Sequence, residues 1–240
     1  VSNYISGATL KLYRTDGTVI QTFTNVTGSV YTLANVLPDQ LYYYVTQIVD
    51  GKESLNSVFV NSTLRTPIVS AGIEMIDVSN VSSSARLKLY DAASNTVASD
   101  TYTMLDNGTY RFANIAPRPG FYYVTQSVYG NESVNSVFVN PILRTPMAIG
   151  GRESVDVSNV YPGATVKLFR SGELQPLALE PTSVGDGQYR FSGISSKGSY
   201  YVVQYVNEVA SPRSNTVSVT VKDKDKDNSS GNGTNGNGAT

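Results

Sequence analysis

The sequence contains no histidine, no cysteine and no tryptophan. Without imidazole there is no Ser-His-Asp triad, no general base poised near neutral pH and no His-ligated metal. Without thiols there is no disulfide framework, no thiolate nucleophile and no cysteine-type zinc site. Charge is also sparse. The 18 Lys+Arg and 19 Asp+Glu make up 15% of the chain and leave a net charge of -1, which gives no electrostatic drive toward nucleic acid or an anionic membrane. No apolar run approaches the ~18 residues of a membrane-spanning helix. These absences predict a chain without catalytic residues, cofactor, nucleic-acid partner or membrane insertion. What is abundant is tyrosine, 17 residues, within a hydrophobic fraction of 40% of 240 residues, enough to build a core.

Internal repetition organises the chain. Val-Ser-Asn occurs at 1–3, 78–80 and 157–159. Each instance is followed by one apolar/polar pattern: Ala8-Thr-Leu-Lys-Leu-Tyr13, Ala85-Arg-Leu-Lys-Leu-Tyr90 and Ala164-Thr-Val-Lys-Leu-Phe169. Next come Tyr31-Thr-Leu33, Tyr110-Arg-Phe112 and Tyr189-Arg-Phe191, then Tyr44-Val-Thr-Gln47, Tyr123-Val-Thr-Gln126 and Tyr201-Val-Val-Gln204. The first two copies also share Asn-Ser-Val-Phe-Val-Asn at 56–61 and 135–140, and both close with Leu-Arg-Thr-Pro at 64–67 and 143–146. So many motifs in one order define three copies of a single unit.

Each copy reads as all-β. Ala8, Leu10 and Leu12 alternate with Thr9, Lys11 and Tyr13, the period-2 pattern of a half-buried strand. Asp16-Gly17, Asn107-Gly108, Pro119-Gly120, Pro162-Gly163 and Asp186-Gly187 punctuate the strands as turns. Six or seven short strands in roughly 78 residues is the arithmetic of a small two-sheet sandwich. The predicted modules are 1–67, 68–146 and 147–221. An apolar lead-in, Ile73 to Asp77 and Ser154 to Asp156, precedes the second and third Val-Ser-Asn; the first copy starts directly at Val1, as a segment of a longer array would. Residues 222–240 run from a Lys/Asp alternation into Asn, Ser, Gly and Thr with no hydrophobe to bury, which predicts a disordered tail. The short linkers after Pro67 and Pro146 predict an elongated array, with Ile68 and Met147 buried against a neighbouring module.

Several motifs carry candidate chemistry. Gly231-Asn-Gly-Thr-Asn-Gly236 matches a dinucleotide-binding pattern but follows no strand and opens no helix. Asp223, Asp225 and Asp227 start like a calcium loop that lacks its turn glycine and closing glutamate. Glu74 and Asp77 recur as Glu153 and Asp156 just past the module junctions; they read either as solvated carboxylates near Arg65 and Arg144 or as oxygen ligands for a stiffening calcium ion. Glu53 and Glu132 occupy equivalent places where the third copy has Ala210, so no carboxylate pair recurs through the array for acid–base work. In the runs Tyr42-Tyr43-Tyr44, Tyr122-Tyr123 and Tyr200-Tyr201 one ring should point inward and its neighbour outward; the outward rings read either as β-forming surface residues or as candidates for protein or sugar contacts. Sequons occur at Asn25, Asn61, Asn80, Asn107, Asn131, Asn228 and Asn232.

The run Gly163-Ala-Thr-Val-Lys-Leu-Phe169, then Gly187-Gln-Tyr-Arg-Phe191, then Gly198-Ser-Tyr-Tyr-Val202 resembles the immunoglobulin-like tandem repeats of Gram-positive surface-layer and cell-wall proteins. It is also similar to the collagen-adhesin B-type repeats of adhesin stalks. The resemblance covers residues 1–221 and implies tandem immunoglobulin-like sandwiches at the bacterial cell surface or cell wall. The implied partners are neighbouring modules, further copies of the chain in a lattice, or a cell-wall or host glycan or protein. In the adhesin repeats a lysine forms an isopeptide bond to Asn or Asp with the help of an acid. The strand that would supply the acid here ends in Gln47, Gln126 and Gln204, so no crosslink is expected at Lys11, Lys88 or Lys167. A structural array is the leading function; an adhesin or carbohydrate-binding accessory array is the alternative.

Overall fold

The computed structural model describes residues 1–222, so the expected tail and the motifs at 223–240 lie outside the described residues. The described residues contain no helix, and all regular structure is antiparallel sheet. By contact density the chain divides into two compact units, Val1–Ile115 with Gly120–Pro141, and Ala116–Pro119 with the residues from Ile142 onward. The first unit holds the first copy and most of the second; the second unit holds the third copy together with residues 116–119 and 142–146 of the second.

In the first copy, β1 (Ala8–Arg14), β2 (Val19–Val26), β3 (Tyr43–Val49) and β4 (Lys52–Glu53) form one sheet in the order β2-β1-β3-β4. Opposite it stands a single bridge, Ser2 to Val30. The second copy is complete. Its strands are β5 (Ile68–Gly72), β6 (Met75–Ser79), β7 (Arg86–Asp91), β8 (Thr96–Ser99), β9 (Thr103–Met104), β10 (Tyr110–Ala113), β11 (Tyr122–Val128) and β12 (Asn131–Glu132). They form two sheets, β5-β6-β10-β9 and β12-β11-β7-β8. Lettered in chain order these are A-B-E-D and G-F-C-C′, the strand order of an immunoglobulin-like sandwich. The third copy repeats it with β13 (Met147–Gly150), β14 (Ser154–Ser158), β15 (Thr165–Arg170), β16 (Thr182–Gly185), β17 (Gln188–Ser192), β18 (Gly198–Val206), β19 (Val209–Ala210) and β20 (Val217–Val219). Its sheets are β13-β14-β17-β16 and β15-β18-β19, with β20 also on β18.

Alternation decides what fills the space between the sheets. Leu87 and Leu89 from β7, Ile76 and Val78 from β6, Phe112 from β10 and Tyr122 and Val124 from β11 form the second core. Val166, Leu168, Val155, Val157, Phe191, Tyr200 and Val202 repeat it in the third copy. The inward tyrosine closes the end of each core with a polar tip. Tyr43 donates its hydroxyl to Leu37 O at 2.8 Å and Tyr200 to Ser196 O at 2.6 Å. A strand-F tyrosine bonded to backbone a few residues upstream is the tyrosine corner of immunoglobulin-like folds. Tyr43, Tyr122 and Tyr200 turn inward as expected; of the rings on the other face Tyr44 and Tyr201 are partly exposed, but Tyr123 is buried as well, 6% exposed beside Tyr90 and Phe138.

Strand parity also corrects one expectation. Ile68 and Met147 are 61% and 60% exposed and bury against nothing. Burial follows the alternate residues instead, Pro67 with Val69 and Pro146 with Ala148, because β5 and β13 turn the even-spaced side chains inward.

Candidate functional site

Three constellations recur where the sequence motifs repeat, and each can be followed from copy to copy. The first is the strand-F glutamine. Gln126 and Gln204 are wholly buried. The Gln126 Oε1 accepts the Ser82 N–H at 2.7 Å, and its Nε2 donates to Arg65 O at 2.6 Å and Asn80 O at 3.2 Å. Gln204 does the same with the Tyr161 N–H at 2.7 Å and Arg144 O at 2.6 Å. In the first copy Gln47 Oε1 accepts the Ile5 N–H at 2.8 Å. The asparagine of Val-Ser-Asn completes the arrangement. Asn80 and Asn159 donate to the next linker carbonyls, Thr66 O and Thr145 O, both at 2.8 Å. Asn3, Asn80 and Asn159 all have φ between 58° and 60°, a left-handed conformation that asparagine tolerates better than most L-residues. Two repeat motifs thus clasp consecutive carbonyls of Leu-Arg-Thr-Pro.

This geometry replaces the reason given for expecting no isopeptide. In register, Lys11 faces Thr46, Lys88 faces Thr125 and Lys167 faces Val203. The glutamines are paired instead with Leu10, Leu87 and Val166, on the core side of the sheet. Glutamine therefore does not stand in an acid's place beside lysine; the two lie on opposite faces.

The second constellation lies on the outward face of strands C, F and G. Tyr13 stacks on Tyr44 with centroids 5.0 Å apart, and Phe59 meets Tyr44 edge-on at 5.8 Å. Tyr90, Tyr123 and Phe138 repeat this at 5.0 and 5.9 Å. Phe169 and Tyr201 stack at 5.2 Å in the third copy, where Arg213 lies over the Tyr201 ring. A carboxylate ties the row together. Glu53 Oε1 accepts from Tyr13 Oη at 2.8 Å and Thr46 Oγ1 at 2.6 Å, and Glu132 Oε1 accepts from Tyr90 at 3.1 Å and Thr125 at 2.5 Å. Those donors hold the Glu53 carboxyl below its ordinary range, and the same bond raises the Tyr13 phenol. Tyr44 and Tyr123 each stack one face on a tyrosine of the neighbouring strand and meet a phenylalanine edge-on, so the rows join strands C, F and G.

The third constellation is strand G. It is mostly irregular, yet it stays in the sheet through two serines per copy. Ser54 and Ser57 take β3 N–H groups on their hydroxyls, Gln47 N at 3.0 Å and Val45 N at 2.9 Å. Ser133 and Ser136 take Gln126 N at 3.1 Å and Val124 N at 2.9 Å; Ser211 and Ser214 take Gln204 N at 3.2 Å and Val202 N at 2.9 Å. The serine N–H groups return bonds to the same strand-F carbonyls. Hydroxyls thus stand in for backbone carbonyls, and the residues between them bulge outward. Nothing in the composition singles these serines out; their shared spacing of three, next to a strand, is the signal that identifies them.

The junction carboxylates separate. Asp77 forms a bidentate pair with Arg111 at 2.6 and 2.8 Å, and Asp156 with Arg190 at 2.5 and 2.9 Å. Their partners are strand-E arginines, not the linker residues Arg65 and Arg144, because β10 and β17 pair directly with β6 and β14. The Arg190 bond holds the Asp156 carboxyl below its ordinary range. Glu153 Oε1 accepts the Lys222 N–H at 3.0 Å, and Glu74 is buried. Among the described residues no group of three or more His, Cys, Asp or Glu gathers to hold a metal. A cleft of about 620 Å³ lined by Leu33, Asn35, Asn61, Ser62 and Arg65 carries that arginine as its single charged side chain, which leaves it without an acid–base pair. Among the sequons, Asn61, Asn80 and Asn131 donate their amides to Asp39 O, Thr66 O and Asp39 O. Asn107 sits in an exposed turn and accepts the Thr109 N–H.

The strand orders, tyrosine corners and doubled cores define a tandem array of immunoglobulin-like domains. No protein-family model and no curated protein matches the chain. Among solved structures it is similar to extracellular domains 3–5 of Drosophila OTK, with 16% identity over 91% of this chain and 86% of that one, at a TM-score of 0.25. It is similar to the titin I9–I11 tandem, with 9% identity over 92% and 90% and a TM-score of 0.28. It is also similar to chicken CNTN1 FN1–FN3, with 11% identity over 91% and 90% and a TM-score of 0.25. Likenesses this distant leave the fold resting on its strand order and core. No helix among the described residues is long and apolar enough to cross a membrane.

Proposed function

We propose that this chain is a non-enzymatic structural segment of an extracellular bacterial surface protein, serving as spacer or lattice-forming modules at the cell wall. The observation that carries this reading is where the repeated polar side chains are spent. Gln126, Asn80, Gln204 and Asn159 each hold a linker backbone, Glu53 and Glu132 each hold a sheet face, and the serine pairs hold strand G. A chain whose recurring groups all fix module to linker and strand to strand is built for position. The absence of imidazole and thiol, and arginine-paired aspartates, support the same reading.

An antibody raised against the chain, used on fractions of the producing bacterium, tests this. The antigen should appear in the cell-wall fraction and on intact cells; confinement to the cytosol overturns the reading. A glycan array would decide for the alternative if the chain bound one glycan selectively and saturably.

A further inference from the structure

The longest run shared by the first two copies, Asn-Ser-Val-Phe-Val-Asn, lies on strand G at the surface. Val58 is 81% and Phe59 58% exposed, with Leu55 beside them at 93%; Val137 is 69% and Phe138 63% exposed, with Val134 at 68%. Phe59 and Phe138 each meet a strand-F tyrosine edge-on yet stay more than half exposed, and the remaining side chains of the run have no such role. The third copy keeps the serine ladder on Ser211 and Ser214 but places Pro212, Arg213, Asn215 and Thr216 around it. Outward positions without a partner in the aromatic and carboxylate row differ between the first two copies, as Thr9 against Arg86 and Ile48 against Ser127 show. Apolar side chains kept alike where water would favour polar ones mark a surface that is covered in use.

We propose that the strand-G edges of the first two copies are contact surfaces for a second copy of this chain. This rests on the structural reading above and gives it the residues that would join molecules. Backbone strand addition is disfavoured, because the bulges between Ser54 and Ser57, and between Ser133 and Ser136, break the row of edge amides. The contact is therefore made by side chains. A second copy fits because the flanks are self-complementary: Lys11 and Glu53 share one outward face, as do Lys88 and Glu132. Two such faces related by a two-fold axis set lysine against glutamate. The area sets the strength. Each edge offers on the order of a few hundred Å² of apolar surface, below the roughly 800 Å² per partner of a stable complex. One edge makes a weak contact, and two edges per chain make each molecule bivalent, so association is open-ended.

Sedimentation velocity over a concentration series of the full chain tests this. The parent should associate beyond the dimer as concentration rises to the order of 100 µM. Phe59→Ser or Phe138→Ser alone should stop at dimers, and the double variant should remain monomeric. Val58→Lys with Val137→Lys, at more exposed positions, should reproduce the double variant with an unchanged thermal unfolding midpoint. A parent that stays monomeric throughout, or association that survives both double variants, overturns the contact. Neither result alters where the antigen is found in the cell, so the two proposals fail separately.

Discussion

At the residue scale the glutamines of strand F carry the most consequence. A glutamine in a strand is ordinarily read as a solvent-facing polar side chain, yet Gln126 shares parity with Tyr122 and Val124 and is buried with them. Replacing it by leucine leaves the Ser82 N–H and the Arg65 carbonyl unpaired beside the core. Gln126→Leu and Gln204→Leu should each cost about 2–4 kcal/mol of stability, read as a lowered denaturant midpoint; an unchanged midpoint would show that the clasp is incidental. The Asp156–Arg190 pair makes a prediction with a sign. The folded carboxyl is held below its ordinary range by the guanidinium bond, so its contribution is present above the unfolded aspartate pKa and is lost as pH falls through the folded one. Asp156→Asn should lower the melting temperature near neutrality, and the gap from the parent should close in acid. A gap that persists at the lowest pH would contradict the pair's role.

At the scale of the element, strand G depends on two hydroxyls per copy. Ser133→Ala with Ser136→Ala removes the acceptors of the Gln126 and Val124 N–H groups and should destabilise the second copy by about 1–3 kcal/mol per site, whereas threonine at either place should recover part of the loss. Equal stability of the alanine and threonine variants would rule the ladder out. Strand A of the third copy has a different constraint: a Cβ on Gly150 would lie 2.1 Å from Ser218 O. Gly150→Ala should therefore force the backbone apart and cost at least about 2 kcal/mol, seen as a lower unfolding temperature. The period-2 runs and the inward tyrosine of each copy are legible in the sequence because alternation decides them, and the turns because Asp-Gly, Asn-Gly and Pro-Gly pairs mark them. The serine ladder is not, since an irregular strand leaves no alternation to read, and neither is the exposure of Ile68 and Met147, where an apolar residue next to a junction invites a buried reading. The partners of Asp77 and Asp156 are hidden for a related reason: strand E is distant in sequence, whereas Arg65 and Arg144 are near along the chain.

For the whole molecule, tyrosine ties stability to the alkaline limit. Burial raises the phenols of Tyr43, Tyr90 and Tyr123, and the bond to Glu53 raises Tyr13. A raised folded pKa contributes stability that is present below the unfolded value and lost as pH rises through the folded one. Tyrosinate absorbance should thus appear partly in a late, cooperative step coincident with loss of the β-sheet circular dichroism signal; smooth titration of every tyrosine while the sheets persist would refute the coupling. The clasped linker has another consequence, one for the gene. Each copy carries its own receiving pair, Asn3 with Gln47, Asn80 with Gln126 and Asn159 with Gln204, and the first two copies end in the same Leu-Arg-Thr-Pro. Adding or removing a whole unit after either of the first two copies would recreate the same joint at the breakpoint, so the number of units can change there while the junction keeps its chemistry.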